Sequence, residues 1–227
     1  MIARELLGTA RVPSTRGRAA ELQLYRHNRD FMIVLERNEL MSTRKSGSEE
    51  ALATMAFERI ISAKRPNMLI GGYGMGFTLR AALRELPVNA RITVVELVPE
   101  IIAWARGPMA EVTAGCLDDP RVQLVESDVA KFIADARGSF DAILLDVDNG
   151  PDGLVRAENN ALYSSAGLRA AKRALSAQGV LAIWSAGPDA AFARLLGKSG
   201  FAVDEVKVPA RSNGKGAKHV IWFATPK

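Results

Sequence analysis

Met68-Leu69-Ile70-Gly71-Gly72-Tyr73-Gly74-Met75-Gly76 runs from a short apolar stretch into four glycines within six positions, and a helical pattern follows at once. A second apolar run then closes on an acid, Ile92-Thr93-Val94-Val95-Glu96. Strand, glycine turn, helix, and an acid ending the next strand make the layout of a nucleoside site at the carboxyl edge of a parallel sheet. Glycine allows a sharp turn and a close approach of backbone to ligand, while the acid can accept both ribose hydroxyls. The glycines alone would say little. Their setting between a strand, a helix and an acid gives them meaning.

Working outward, strands and helices alternate to the end of the chain. Strands are expected at 68–71, 91–96, 122–125, 140–146 and 180–184, with helices at about 77–86, 99–113, 129–136, 165–176 and 188–198. Two last strands, near 201–208 and 218–224, flank the loop 209–217. Successive strand–helix units force a mostly parallel sheet with right-handed crossovers, and the closing hairpin adds one antiparallel strand. The fold class is therefore α/β, with a Rossmann-like, mostly parallel seven-stranded sheet. The loop 209–217 reads either as a hairpin tip or as a basic flap near the substrate.

Upstream the pattern changes. Glu21 to Arg26 alternates, Phe31 to Leu35 is a β-rich run, and His27-Asn28-Arg29-Asp30 supplies a turn, so a hairpin is expected. Ser46-Gly47-Ser48-Glu49 then reads as a capping box opening a helix that stops before Pro66. We divide the chain into a small N-terminal β extension, 1–45, and an α/β domain, 46–227. The extension either covers the cleft or makes a subunit contact, and a homodimer is the expected assembly.

Composition narrows the function classes. The 227 residues are 48% apolar and 24% charged, as in an ordinary globular protein, and no apolar run approaches the ~20 residues of a membrane span. The start of the chain lacks the apolar core of a signal peptide, so a cytoplasmic protein is expected. A single cysteine, Cys116, rules out an intrachain disulfide and a multi-cysteine metal site, and His27 and His219 are too few for a histidine-built one. No metal is expected. The net charge of +5 is spread thinly, and nucleic acid is not an expected partner.

In an open parallel sheet the ligand sits beyond the carboxyl ends of the strands. The residues there are Gly72, Tyr73, Gly74 and Gly76 after the first strand, then Glu96 and Leu97. Ser127 and Asp128 follow the third, Asp146 and Asp148 the fourth, and Ser185 the fifth. Packing has no need of acids at such tips. Asp128 has a structural use, as the cap of the next helix, compatible with a ligand contact, and Asp148 could cap its own turn. Tyr73 either covers a bound cofactor or packs beneath the loop. Trp184, near a strand tip, is a candidate for the acceptor pocket.

These residues resemble the class I AdoMet-dependent methyltransferase fold, and within it the spermidine-synthase-like branch. The likeness spans roughly 66–185. It rests on the glycine loop with Thr78-Leu79-Arg80, on Val94-Val95-Glu96-Leu97-Val98-Pro99-Glu100, on Asp118-Asp119-Pro120-Arg121-Val122 with Ser127-Asp128, and on Phe140 to Asp146. It implies S-adenosyl-L-methionine, or its decarboxylated form, held by Gly72, Tyr73, Gly74, Gly76, Glu96, Leu97, Ser127, Asp128 and Asp146. Asp146 and Asp148 would be the catalytic carboxylates toward a small-molecule or peptidic acceptor. Two departures bear on the reaction: Met75 stands where the family's aminopropyltransferases place an acid, and Val147-Asp148-Asn149 replaces Ser-Ser-Asp. On those grounds methyl transfer is expected ahead of aminopropyl transfer. A catalytically silent nucleoside-binding module is a further alternative, and an NAD-linked oxidoreductase ranks last.

Overall fold

A computed structural model of the protein describes residues 4–12, 20–146 and 161–227. Two sheets organise it. The first is antiparallel, in the order β1 (Glu5–Val12), β2 (Ala20–His27), β3 (Asp30–Leu35) and β4 (Asn38–Ser42). The expected hairpin is β2–β3, turning through Asn28 at φ +58°, but it has a partner strand on either side. Those flanking strands carry a weak pattern of their own: β1 is interrupted by Gly8 and β4 is five residues long. Pairing with β2 and β3, not intrinsic preference, makes them strands.

The second sheet has seven strands in the order β10-β11-β9-β8-β5-β6-β7. They are β5 (Asn67–Gly71), β6 (Arg91–Glu96), β7 (Val122–Glu126), β8 (Phe140–Leu145), β9 (Leu175–Ser185), β10 (Phe201–Pro209) and β11 (Lys218–Pro226). β5 to β9 pair in parallel, while β11 runs antiparallel to both β9 and β10. The expected sheet is thus present, closing hairpin included. The chain leaves β5 toward β6 on one side and returns to β8 on the other, so strand order reverses at β5. That reversal opens a crevice at the carboxyl ends of β5 and β8.

Helices α1 (Gly47–Arg59), α2 (Phe77–Glu85), α3 (Pro99–Arg106), α4 (Ala110–Thr113), α5 (Val129–Asp135), α6 (Ser165–Ala174) and α7 (Ala190–Lys198) join and cover the strands. The expected helix 99–113 is broken into α3 and α4 at Gly107-Pro108, because proline withholds an amide and disfavours helical backbone before it. Between α1 and the sheet lie Leu52, Ala53 and Ala56, all without solvent exposure. The capping box does not form. Ser46 makes no side-chain cap, and the Gly47 amide instead donates to Ala210 O (3.0 Å). The loop after β10 therefore docks on the start of α1, and a Cβ at Gly47 would meet the Arg211 carbonyl carbon at 2.4 Å. Among the described residues, no helix is long and apolar enough to cross a membrane.

Candidate active site

A cleft lies at the point of reversal, between the tips of the large sheet and the N-terminal one. Its floor is Gly72, Gly74, Val95, Glu96 and Asp146. Leu22, Ile33, Leu35 and Met41 of the N-terminal sheet form an apolar wall opposite. Gly72 and Gly74 sit at φ +87° and +56°, backbone that side-chain-bearing residues rarely adopt. A Cβ on Gly74 would also meet Met41 Sδ at 2.9 Å. The N-terminal sheet therefore presses directly on the glycine loop.

Glu96 is 6% exposed and braces this loop. Its Oε1 accepts from the Leu97 and Val98 amides (both 2.8 Å), and its Oε2 accepts from the Tyr73 amide (2.9 Å). Burial raises its pKa while the amide bonds pull it back down. A carboxylate offers about four lone-pair sites. The Gly74 amide is a fourth donor that favours its charged form. Asp128 is the cap of α5, its Oδ1 accepting from Ala130 N (2.7 Å) and Lys131 N (3.2 Å), and it lines the cleft beside Ser127. Leu97 forms part of the rim.

Two expected cofactor residues point elsewhere. Tyr73 is 3% exposed, and its hydroxyl lies 3.4 Å from Cys116 Sγ, beneath the loop and outside the cleft lining. The left-handed glycines on either side turn its ring into the protein. Gly76 is the N-cap of α2 at φ +77°, where a Cβ would meet the Tyr73 hydroxyl at 2.7 Å. Both support the loop without facing the cleft. Met75 is likewise buried in the core at 2% exposure. Asp148 lies outside the described residues.

Asp146 lies at the other end of the cleft, and its charge acts on the Glu49 carboxyl. Asp146 follows β8, its amide bonded to Gly71 O (3.0 Å) and its Oδ2 accepting from the Thr78 hydroxyl (2.7 Å). The same hydroxyl lies within 3.3 Å of Glu49 O. α2 thus ties the first turn of α1 to the tip of β8. Burial pushes Asp146 up to about 6, against the Thr78 bond. Burial, with the Asp146 charge next, pushes Glu49 up to about 8. Both carboxyls thus hold a proton more readily than exposed ones, burial being the main cause for each. In sequence Glu49 stands out only as the acid of a capping box. Its Oε2 accepts from the Ser48 hydroxyl (3.3 Å).

Beyond Glu49, Ser48 is fully buried and its Oγ lies 2.8 Å from His219 Nδ1. The His219 ring stands edge-on to Trp184 at 4.8 Å between centroids. The buried Trp184 indole N–H has no partner among the described residues. No group of three or more histidine, cysteine, aspartate or glutamate residues among the described ones could hold a metal ion.

Fold and crevice together define a Rossmann-like domain of the class I methyltransferase type. Residues 47–189 match the spermine/spermidine synthase domain family, and the chain belongs to it. Polyamine aminopropyltransferase 1 of Streptomyces coelicolor is 32% identical over 162 residues, covering 68% of this chain and 30% of that protein. Polyamine aminopropyltransferase of Sulfolobus acidocaldarius is 33% identical over 130 residues, 57% of this chain and 42% of that protein. The chain thus spans less than half the length of these relatives. Spermidine synthase from Thermotoga maritima shares the fold with a TM-score of 0.76 at 18% identity, covering 96% of this chain and 72% of that one. Human methyltransferase-like protein 13, solved in complex with SAH, reaches 0.59 at 19% identity, covering 81% and 82%.

Proposed function

We propose that this protein is a transferase that moves an aminopropyl group from decarboxylated S-adenosylmethionine to an amine acceptor. The observation that carries this reading is Asp146, a carboxyl at the end of the cleft held by the Thr78 hydroxyl, with the Glu49 acid near enough to feel its charge, where an ammonium group would be received. The names of the sequence relatives support it and reverse the order expected from Met75. A methionine at that position removes an acid from the glycine loop, but α1 brings another to Asp146 from a distant part of the chain.

The residues present fit such a donor. Left-handed glycines bring the main chain to the cleft floor, Glu96 lines that floor as the carboxylate for a ribose hydroxyl, and Ser127 and Asp128 stand where a base edge would lie. The apolar wall of the N-terminal sheet keeps water from the reacting end, which strengthens every charge interaction there. When bound, the donor supplies a carbon made electrophilic by a positively charged sulfur. The work of the protein is then alignment and proton management. Asp146 orients the acceptor nitrogen and takes its proton. Asp148 remains a second candidate carboxylate.

Calorimetry with S-adenosylmethionine and with its decarboxylated form tests the reading, followed by mass spectrometry of the by-product on a panel of amines. Preference for the decarboxylated donor with release of methylthioadenosine is the expected result. Preference for S-adenosylmethionine with release of S-adenosylhomocysteine would establish methyl transfer, the second reading, which the buried Met75 favours.

A further inference from the structure

The polar tips of the large sheet continue past Asp146. Leu145 is in register with Ile183, and Trp184 with Ile221, so Asp146, Trp184 and His219 stand at one end of three neighbouring strands, β8, β9 and β11. Side chains alternate between the faces of a strand. Leu144, Ala182 and Ile221 belong to the core that also holds Leu52 and Ala53 of α1, and Asp146, Trp184 and His219 each lie two residues from one of them, on the same face. The Thr78 bond to Asp146 and the edge-on contact of Trp184 with His219 agree with this placement. The first turn of α1 lies over the row, its Ser48 reaching His219 Nδ1.

One group in this row has nothing to bond to. Trp184 is 7% exposed, and its buried indole N–H has no partner among the described residues. Trp222, equally enclosed in the sheet, does have one, donating to Glu205 Oε2 (3.0 Å). A buried donor left unpaired is costly, and most in folded proteins are met by protein or by a bound molecule. The indole has a donor and no acceptor, so whatever meets it must bring a lone pair. A protonated amine has only N–H bonds to offer and cannot do so.

We propose that Trp184 determines acceptor specificity, and that the acceptor carries a neutral oxygen, a hydroxyl or an amide carbonyl, beside the amine that reacts. The inference rests on the transfer reading above and narrows its acceptor. The cleft reaches Asp146, and the indole stands one strand further from the glycine loop. Neighbouring strands are ~4.8 Å apart, so an amine received at Asp146 and an oxygen at the Trp184 N–H are joined by a short carbon chain. A carboxylate oxygen is disfavoured, because Glu96, Asp128 and Asp146 already line the cleft. A plain diamine would set a second ammonium against the indole and leave donors on both sides unpaired. The indole N–H is closed to solvent, where a directional hydrogen bond is strongest.

The probes are short ω-amino alcohols, the 1-aminoalkanes of equal length and the matching α,ω-diamines. With decarboxylated S-adenosylmethionine as donor, the parent is expected to favour the best amino alcohol over both matched amines by about tenfold in kcat/KM. Trp184→Phe keeps a ring but loses the N–H, and it should bring that ratio close to one while donor affinity, read by calorimetry, is retained. A parent that prefers the diamine, or a Trp184→Phe protein that keeps the parent's ratio, overturns the proposal. Binding is read without turnover from the indole ¹H–¹⁵N resonance of Trp184, identified by its loss in Trp184→Phe. It should move downfield when the amino alcohol is added and stay in place with the alkylamine. A resonance indifferent to the amino alcohol also overturns the proposal and makes an internal water the partner of the indole. If the resonance responds but no amine is aminopropylated, the transfer reading fails while the assignment of Trp184 stands.

Discussion

The two ends of the cleft are built in different ways. At the glycine end, Gly72, Gly74, Glu96, Ser127 and Asp128 each follow the strand that precedes them, and they are held by backbone geometry and amide bonds. At the carboxyl end, Glu49, Asp146, Thr78 and His219 come from α1, β8, α2 and β11, and they are held by side-chain bonds in a desolvated setting. The first end is locally specified. The second depends on long-range packing and on protonation, so it should be the end that responds to pH and to conservative substitution.

The sharpest way to break this contrast is Asp146→Asn, which keeps the shape but removes the base. A fall of about 10³-fold in transfer rate is expected, with donor affinity changed only a few-fold by calorimetry. Wild-type turnover in this variant would remove Asp146 from the chemistry. Next in size is Gly74→Val, which forces a β-branched residue into left-handed backbone against Met41 Sδ. Strain and overpacking of about 2–4 kcal/mol imply roughly a 100-fold loss of donor affinity, and an unchanged dissociation constant would show that the loop is not the floor.

Glu96→Gln is expected to cost about 1–3 kcal/mol, because an amide NH₂ would face the Tyr73, Leu97 or Val98 amide it replaces as acceptor. Both the melting temperature and donor affinity should fall together. If affinity fell alone, bracing would not be the role of this side chain.

The pH test separates the two ends without a ligand. Glu49 and Asp146 have raised pKa values, so the folded chain retains protons that the unfolded chain releases above the ordinary carboxylate range. Their stabilising contribution is thus complete at low pH and is lost as pH rises toward about 8. Melting temperature is expected to decline over pH 5 to 8, and Glu49→Gln should flatten that decline; a curve identical to the parent's would show the pair uncoupled. The smallest effect belongs to Thr78→Val. Without the hydroxyl that favours ionised Asp146, the rate–pH profile should move to higher pH, slowing turnover a few-fold near neutrality.

Much of the fold was legible because its signals are local. The apolar runs ending at Gly71, Glu96 and Leu145 announce buried parallel strands, and the turn residues 27–30 announce the β2–β3 hairpin. β1 and β4 were missed because each is weakly patterned and becomes a strand only by pairing. Ser46 and Glu49 fit a capping pattern, yet docking of the loop after β10 against Gly47 satisfies that helix start in another way. Tyr73 could be placed in the glycine loop from sequence, but the direction of its ring follows from the backbone turn at Gly72 and Gly74.

What the sequence determined by itself is the alternation of strand and helix, the glycine turn, and the acids on successive strand tips. Periodicity, turn chemistry and capping act over a few residues, so these features are written where they occur. The tertiary structure alone decided that an acid from α1 comes within reach of the Asp146 charge, that a serine beside it reaches His219, and that the N-terminal sheet walls the cleft. Those contacts join segments far apart in the chain, and their chemistry comes from desolvation, which exists only once the core has closed around them.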